Sequence, residues 1–471
     1  METIREYLNE SMVGIIAPAG YGKTEEIADA VNSCSEKQLI LTHTRAGVAA
    51  LRDRMRKKQI RNEKFEIDTI ASFCMKWCKA YPATAKVQLP DKISEMDYLA
   101  IYKGTKNLFS YTWAREVLRQ TYSGLFIDEY QDCTESQHEI FMELKNLFPI
   151  RVFGDPLQGI FYWVKGDKIV NWNSFTFKVI SPLTTPQRWE KTNKDLGLLL
   201  DNLRKKIITV LDGNDVTINI ANVSGCMTVL NSIQWNNGSF AYRIKNYERV
   251  VYLSAFPNKQ KTFSQHNGGF FQCDEVKDLA ETETIIAGIE AERNEKKALV
   301  LLESLKSMIN GIQAELGSYI NNLRKGKSDF SRISKHKDLG QFIEAVCKND
   351  TSKPVLDVLR WFGHSTEFKI YRAELFYRIG KIYAYMTEEN TTLHETIEAL
   401  SSQQYFTEKR FSFSRLSSRT VLTKGLEFDC VIIDARDKMD VRDFYVAMTR
   451  AKKHIYIISD ASQLSFKGIH Y

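Results

Sequence analysis

Residues 13–24 read Val-Gly-Ile-Ile-Ala-Pro-Ala-Gly-Tyr-Gly-Lys-Thr, an apolar run followed by a turn with two glycines, a lysine and a threonine. The run predicts a short buried strand, and the residues that follow predict a helix starting near Lys23 and continuing through Ala30. In such a strand–turn–helix connection, backbone amides converge on a phosphate group and the positive end of the helix dipole faces it. The stretch therefore predicts a phosphate-binding loop.

Each residue of this loop has an expected task. Lys23 would reach the β- and γ-phosphates of a nucleotide, and the hydroxyl of Thr24 would ligate Mg²⁺. The residues expected to bind the nucleotide are Ala19, Gly20, Tyr21, Gly22, Lys23 and Thr24. Taken alone, the loop could also be an ordinary strand–helix connection, because Ala17 stands where the usual pattern begins with glycine.

A second apolar run, Leu125-Phe-Ile-Asp-Glu-Tyr-Gln-Asp132, ends on carboxylates. Parallel sheets bind their ligands at the carboxyl ends of their strands, so these groups are expected beside the phosphate loop. Asp128 would hold Mg²⁺, and Glu129 would orient and deprotonate the attacking water. An isolated Asp-Glu pair at a strand end could instead cap a helix, but the phosphate loop favours the catalytic interpretation.

Further apolar runs indicate more strands of the same kind. They lie at residues 39–42, 151–153, 250–253, 430–433 and 454–458, with helical patterns between them. Strands buried on both faces and separated by helices predict an α/β protein with parallel sheets. Residues 276–410 instead show apolar residues at helical spacing, over 280–295, 298–323, 339–347 and 373–386, which predicts a helical insertion.

Composition limits the class of protein without identifying it. The chain has 471 residues, 43% of them hydrophobic, a formal net charge of +7 and only nine prolines, so we expect several folded domains. We expect neither a membrane span nor a secretory signal, and the eight scattered cysteines predict reduced thiols in a cytoplasmic protein. The positive charge is compatible with a polyanionic partner.

Seven blocks in order resemble the motifs of UvrD/Rep-like superfamily 1A DNA helicases. Besides the phosphate loop and the acidic run, they are Leu41-Thr-His-Thr-Arg-Ala-Gly47 (motif Ia), Thr69-Ile-Ala-Ser-Phe73 (Ib), Gly154-Asp-Pro-Leu-Gln-Gly-Ile-Phe161 (III), Lys424-Gly-Leu-Glu-Phe428 (V) and Tyr445-Val-Ala-Met-Thr-Arg-Ala451 (VI), with Arg188 at the position of the motif IV arginine. The resemblance implies two RecA-like lobes, with the helical insertion in the second.

The resemblance also implies roles for individual residues. Gln158 would sense the γ-phosphate, and Glu427 would contact the ribose. Arg188 and Arg450 would act as arginine fingers on the transferring phosphoryl group, where developing charge requires cations. An isolated arginine is more often a surface charge, so these assignments depend on the surrounding motifs.

Single-strand motors need aromatic faces for bases and donors for phosphates. Phe161 and Trp163, after motif III, are candidates for base stacking, and core packing is the alternative for both. The family's strand-contacting positions in motifs Ia and Ib are occupied here by His43, Thr44, Ser72 and Phe73. Two basic stretches, over residues 52–64 and 324–337, could contact DNA phosphates or be solvated surface, and the second could also contact a protein partner.

Three departures from the family pattern concern the nucleobase. Residues 1–12 contain no glutamine to read adenine, Gln187 replaces the stacking tyrosine of motif IV, and Val421 replaces the histidine of motif V. We expect ATP and Mg²⁺ to be used for hydrolysis, while the choice of ATP over other nucleoside triphosphates is left open.

The predicted domains follow from the motif positions. They are lobe 1A over residues 1–185, with a reduced 1B-like insertion at about 76–120; lobe 2A over 186–275 and 411–471; and a 2B-like helical insertion over 276–410.

Three hypotheses for function follow. The first is an ATP-dependent helicase or translocase on single-stranded DNA, by resemblance 3′ to 5′. The second is an ATPase that senses DNA with single-stranded ends and controls a partner nuclease, since small UvrD-like proteins of anti-phage systems such as Gabija are similar in size and in their acidic motif. The third, a non-catalytic structural protein, is disfavoured because the catalytic residue types are present.

Overall fold

The structure is a computed structural model that describes residues 2–90, 95–160, 166–221, 225–236, 240–274, 279–402 and 413–469. The strands of these segments are β1 (Met12–Ile16), β2 (Gln38–Thr42), β3 (Phe65–Thr69), β4 (Gly124–Ile127), β5 (Ile150–Gly154), β6 (Lys178–Ile180), β7 (Val216–Asn219), β8 (Met227–Leu230), β9 (Val250–Leu253), β10 (Gln272–Cys273), β11 (Ile309–Asn310), β12 (Lys369–Ile370), β13 (Arg415–Ser418), β14 (Phe428–Asp434), β15 (Ala451–Ile458) and β16 (Gln463–Phe466).

Helices connect most of these strands. They are α1 (Glu2–Leu8), α2 (Lys23–Ser33), α3 (Arg45–Lys57), α4 (Ile70–Ala80), α5 (Pro82–Ala85), α6 (Glu95–Phe109), α7 (Thr112–Thr121), α8 (Glu135–Leu144), α9 (Gln187–Glu190), α10 (Lys194–Ile207), α11 (Ser232–Asn236), α12 (Phe240–Arg243), α13 (Pro257–His266), α14 (Leu279–Glu290), α15 (Asn294–Lys306), α16 (Ile312–Glu315), α17 (Gly317–Arg324), α18 (Lys337–Lys348), α19 (Ser352–His364), α20 (Ala373–Glu389), α21 (Leu393–Ser402) and α22 (Val441–Met448).

Two six-stranded parallel sheets carry the fold, as the sequence predicts. The first has the strand order β3-β2-β4-β5-β1-β6, and the second has the order β10-β13-β9-β14-β15-β8. Two short antiparallel pairs, β11 with β12 and β7 with β16, complete the strands. The α/β class with two RecA-like sheets is therefore confirmed.

The chain divides into two compact units. The first contains Met1–Phe240 and Thr423–Tyr471, and the second contains Ala241–Leu422. The domain boundaries predicted from the motifs, at residues 185, 275 and 410, stay predictions.

The first sheet is apolar on both faces, which is why its strands read as continuous apolar runs. Two clusters of buried side chains cover these faces, one including Leu125 and Ile150 and the other including Val13 and Phe126. The register aligns the carboxyl ends of the strands, with Ile16 opposite Gly154 and Thr42 opposite Thr69. Every loop that follows one of these strand ends consequently emerges at the same edge of the sheet.

The second unit contains a predominantly helical segment over α14–α21, with its own core, in which Leu302, Ile320 and Phe362 are fully buried. The helical pattern expected over residues 298–323 is interrupted, because α15 ends at Lys306 and β11 pairs with β12. Gly311, whose φ of 93° is in the left-handed region, then redirects the chain into α16. Local side-chain spacing could not reveal this break, since it depends on a strand partner 60 residues away.

Seven of the eight cysteines are buried, and Cys34 is half-buried. Within the described ranges, no helix combines the length and apolarity needed to cross a bilayer.

Asp443, in the first turn of α22, provides a test of the packing around that helix. Burial, and secondly the charge of Asp440, raise the pKa of its carboxyl group to about 6. Because the folded pKa lies above the unfolded value, the ionised carboxylate destabilises the fold above pH 6 and costs nothing below pH 4. Asp443→Asn should raise the free energy of unfolding at pH 8 by no more than about 3 kcal/mol, and with it the Tm, and should leave both nearly unchanged at pH 4.

Thermal unfolding from pH 4 to pH 8 measures this difference. The exposed carboxylate of Asp212 in the same unit supplies the control, since Asp212→Asn should not change the pH dependence. A stabilisation of Asp443→Asn that is equal at both pH values would contradict the expected burial of a charge.

Candidate active site

The phosphate loop has the geometry that its sequence predicts. Gly20 and Gly22 have φ values of 77° and 89°, and Gly22 is the N-cap residue of α2, so Lys23 is the first helical residue. A Cβ atom added to Gly20 would lie 2.6 Å from the ring of Trp189. Gly20 is thus required both by its backbone conformation and by the close approach of a tryptophan.

The two carboxylates at the end of β4 contact the lysine of this loop. Lys23 Nζ lies 3.0 Å from Asp128 Oδ1 and forms a second, shorter ion pair with Glu129. Glu129 has a φ of 57°, a left-handed conformation that sharply turns the chain after the strand. The structure thus brings together three residues predicted to carry the chemistry, from positions over 100 residues apart.

Burial and charge act in opposite directions on these groups. Burial alone would raise the pKa of Glu129, but the charges of Lys23 and Lys424 outweigh it and hold the pKa below its ordinary range. At Asp128 burial prevails over the charge of Lys23, so its pKa is raised. Burial alone would lower the pKa of Lys23, whereas Asp128 and Glu129 raise it above its ordinary value. The lysine is therefore a fixed cation between two buried acids.

Oxygen ligands for Mg²⁺ are present at the same place. The hydroxyl of Thr24 and the carboxylate of Asp128 are the hard donors that this ion prefers. Thr24 and Asp128 therefore fit the metal that we expected them to hold.

Lys424 of motif V is a second cation at this site. It forms an ion pair with Asp132, lies 3.6 Å from Glu129 Oε2, and donates a hydrogen bond of 2.8 Å to the carbonyl oxygen of Gln158. Burial raises the pKa of Asp132 to about 7 even though Lys424 opposes this. Lys424 matched its motif without an expected role, and its contact with Asp132 joins residues 292 positions apart.

Gln158, Arg450 and Arg188 also meet at this edge of the sheet. Arg450 Nη2 lies 3.4 Å from Gln158 Oε1, and the backbone N–H of Arg188 donates to the carbonyl oxygen of Gly20 at 2.9 Å. Burial, and then the neighbouring charge of Arg188, lower the pKa of Arg450 to about 10. Two guanidinium groups held this close create a position where an anion is stabilised.

Glu427, expected to contact a ribose, instead forms an ion pair of 2.8 Å with Arg188. Its side chain is 41% exposed, so the carboxylate is accessible from solvent. The ribose contact stays a prediction.

The residues predicted to contact DNA differ in their surroundings. Thr44 and Ser72 follow the adjacent ends of β2 and β3; Thr44 caps α3 by accepting from the N–H of Gly47 at 3.0 Å. Phe73 is 6% exposed and lies in the core of the first unit, so its ring has no free face for a base. Phe161 and Trp163 lie outside the described residues.

His43 points toward the carboxylates. Its Nε2 lies 3.4 Å from the Sγ of Cys133, one residue after the acidic motif. Burial, and then the charge of Lys424, lower the pKa of His43 to about 3, so the ring is neutral at physiological pH. It therefore brings no positive charge to a DNA phosphate.

The first basic stretch is largely engaged within the protein. Lys58 pairs with Glu25 and Asp29, Arg54 pairs with Glu25, and Lys64 donates to backbone carbonyl groups. In the second stretch, Arg324 pairs with Glu303 and Lys335 with Glu315. Phosphate contact by the remaining cations of both stretches stays a prediction.

Trp189 and Arg204 are two site residues that sequence reasoning missed. The indole Nε1 of Trp189 donates to the carbonyl oxygen of Ala451 at 2.7 Å, and Arg204 pairs with Asp155 at 2.8 Å. Neither belongs to the core of a recognisable motif. For Trp189, its position next to Arg188 was the available signal; for Arg204, which lies in the last turn of α10, there was none.

Comparison with known proteins agrees with this geometry. Residues 1–162 match the family model of an AAA domain, and residues 422–458 match that of a UvrD-like helicase C-terminal domain. Over 87 residues the chain is 34% identical to the Gabija protein GajB of Bacillus cereus (strain VD045). That alignment covers 16% of this chain and 17% of the length of GajB.

Solved structures of helicases are distant. The complex of Arterivirus nonstructural protein 10 (helicase) with DNA has 8% identity and a TM-score of 0.36, covering 97% of this chain and 63% of that one. Pif1 of Bacteroides sp in complex with ADP-AlF4 has 15% identity and a TM-score of 0.30, covering 55% of this chain and 54% of that one. These scores carry no argument about a shared fold, and the fold of this chain is described by its own sheet order.

The two family matches include the phosphate loop, the acidic strand end and motif VI, whose residues meet at one edge of the first sheet. The resemblance of this chain to UvrD-like helicases, predicted from its motifs, is thereby confirmed.

Proposed function

We propose that this protein is an ATP-dependent helicase or translocase that acts on single-stranded DNA, and that it hydrolyses ATP at the edge of the first sheet. The observation that carries the proposal is the contact of Lys23 with both Asp128 and Glu129, next to the pair formed by Gln158 and Arg450. Phosphoryl transfer requires a cation that binds the phosphates, acidic groups for the metal ion and the water, a residue that senses the γ-phosphate and a further cation for the transition state.

Binding of the nucleotide would itself activate the general base. While Lys23 pairs with Glu129, the pKa of Glu129 is held low and the carboxylate is a weak proton acceptor. Incoming phosphates would compete for Lys23, and once it moved to them, the pKa of Glu129 would rise because its ion pair with Lys23 would be lost. The base would thus become effective only when substrate is bound.

The remaining charges are placed to stabilise the transferring group. Arg188 and Arg450 would face the phosphoryl oxygens, and release of Arg188 from Glu427 would leave that carboxylate free for the ribose. Mg²⁺, held by Thr24 and Asp128, would neutralise part of the phosphate charge. Because the site is buried, these interactions would be stronger than in water.

Thr44 and Ser72 are our candidates for phosphate contacts with single-stranded DNA, because the in-register pairing of β2 and β3 places both at the catalytic edge. Trp163 and Phe161 are kept as stacking candidates on sequence grounds, and Phe73 is omitted because it is buried. The 3′ to 5′ direction comes from the resemblance to the helicase family.

The match to GajB favours a second candidate function, in which the chain senses DNA ends with ATP and regulates a partner nuclease in an anti-phage complex. This candidate uses the same hydrolytic site. The two differ in whether hydrolysis is coupled to strand separation.

Lys23→Ala should lower the rate of ATP hydrolysis by about 100-fold or more, because the phosphates lose their cation. The variant also leaves Asp128 and Glu129 adjacent without a counter-charge, so circular dichroism and thermal unfolding must accompany the assay. Lys37→Ala, which removes an exposed ammonium paired with Glu66, is the control and should retain full activity. Turnover close to wild type in Lys23→Ala would refute the site.

Glu129→Gln should retain nucleotide binding and lose hydrolysis by roughly 100- to 10,000-fold, because an amide accepts hydrogen bonds but not the proton of water. Fluorescent-nucleotide titration and single-turnover hydrolysis measure the two effects separately. Glu139→Gln, on the exposed side of α8, is the matched control. Equal loss of binding and hydrolysis would remove Glu129 from the role of base.

Strand separation distinguishes the two candidate functions. With ATP, the wild-type protein should unwind a duplex carrying a 3′ single-stranded tail and leave one with a 5′ tail intact. Unwinding from the 5′ tail alone would contradict the proposed direction. Hydrolysis stimulated by single-stranded DNA without unwinding of either substrate would favour the DNA-sensing ATPase.

A further inference from the structure

Asp155, directly after β5, is a fully buried carboxylate surrounded by donors. Its Oδ1 accepts from Arg204 Nη2 at 2.8 Å and from the N–H of Leu157 at 3.3 Å, and its Oδ2 accepts from Gln158 Nε2 at 3.1 Å. The hydroxyl of Tyr445 in α22 also interacts with this carboxylate. Asp155 therefore connects α10 and α22 with Gln158, the residue expected to sense the γ-phosphate.

Arg204 is the cation of this cluster. Its side chain is 12% exposed; burial alone would lower its pKa, but the charge of Asp155 outweighs this and raises the pKa above its ordinary value. A buried carboxylate that loses an ion-pair partner becomes strongly unfavourable, so Arg204 supports the position of the Asp155 carboxylate.

Two neighbouring charges of opposite sign determine the orientation of the side-chain amide of Gln158. The carboxylate of Asp155 lies on the Nε2 side, and the guanidinium of Arg450 lies 3.4 Å from Oε1. A flipped amide would turn its oxygen to the carboxylate and its NH₂ group to the guanidinium, and both contacts would be repulsive. The side-chain carbonyl oxygen of Gln158 is thus held toward Arg450.

The backbone of Asp155 is connected to the general base as well. Its N–H donates to Gln131 Oε1 at 3.0 Å, and Gln131 Nε2 donates to Glu129 Oε2. The sensor and the base therefore share one support, so a change at Asp155 would affect both partners of the attacking water.

We propose that Arg204 is a positioning residue for ATP hydrolysis: its guanidinium group holds the carboxylate of Asp155 in place, Asp155 fixes the amide of Gln158, and the Gln158 carbonyl oxygen accepts a hydrogen bond from the attacking water. This inference rests on the proposed function, because it assumes hydrolysis at this edge of the sheet. It assigns a catalytic consequence to a residue of α10 that lies outside the helicase motifs, and it gives Gln158 the part of an acceptor.

Arg204→Met, which keeps the length of the side chain and removes its charge, should lower kcat by about 10- to 100-fold and leave KM within about twofold, because the water loses its orientation while the nucleotide contacts remain. Arg204→Lys, which restores a cation, should recover most of kcat. Lys206→Met, an exposed cation on the same helix, is the control and should match wild type.

A double-mutant cycle with Asp155→Asn separates positioning from mere support of the fold. If Arg204 acts through Asp155, adding Arg204→Met to Asp155→Asn should lower kcat little further. The inference would be overturned by additive losses of kcat in the double mutant or by a rise of KM equal to the fall of kcat. It would also be overturned if Arg204→Lys had an unchanged Tm but failed to restore turnover. Absence of hydrolysis in the wild-type protein would instead refute the proposed function.

Discussion

The site depends on two neighbouring carboxylates at the end of one strand, of which Asp128 is buried and Glu129 is half-buried. Asp128 and Glu129 follow β4 directly, and their mutual repulsion in a medium of low polarity must be compensated by a cation. Lys23 supplies it from the phosphate loop, and Lys424 adds a second positive charge beside Glu129. In the proposed function, the lysine that pairs with these acids would also bind the triphosphate, so substrate binding would release the base.

The parallel register of the first sheet makes this arrangement possible. Because its strands end at a common edge, five loops from distant parts of the sequence emerge side by side. Arg450 and Lys424 then reach the same place from the C-terminal part of the first unit, where they contact Gln158. The arrangement of the site is therefore a consequence of strand order together with a few long-range contacts.

Local patterns predicted the parts of the structure that are decided locally. The apolar runs of β1, β2, β4 and β5 and the start of α2 at Lys23 could be inferred, since burial on both faces leaves a continuous apolar signature. Contacts across the sequence could not be inferred in the same way: Arg204 meets Asp155 over 49 residues, and Trp189 meets Ala451 over 262. The burial of Phe73 and the neutral ring of His43 likewise depend on neighbours that spacing alone does not reveal.

The account is tested most directly by a crystal structure of the protein with Mg²⁺, ADP and aluminium fluoride, a mimic of the transferring phosphoryl group. We expect Lys23 Nζ to have left Glu129 for the fluoride and the β-phosphate, with the guanidinium groups of Arg188 and Arg450 in contact with the fluoride. A complex in which Lys23 still pairs with Glu129, or in which neither arginine reaches the mimic, would contradict the central claim.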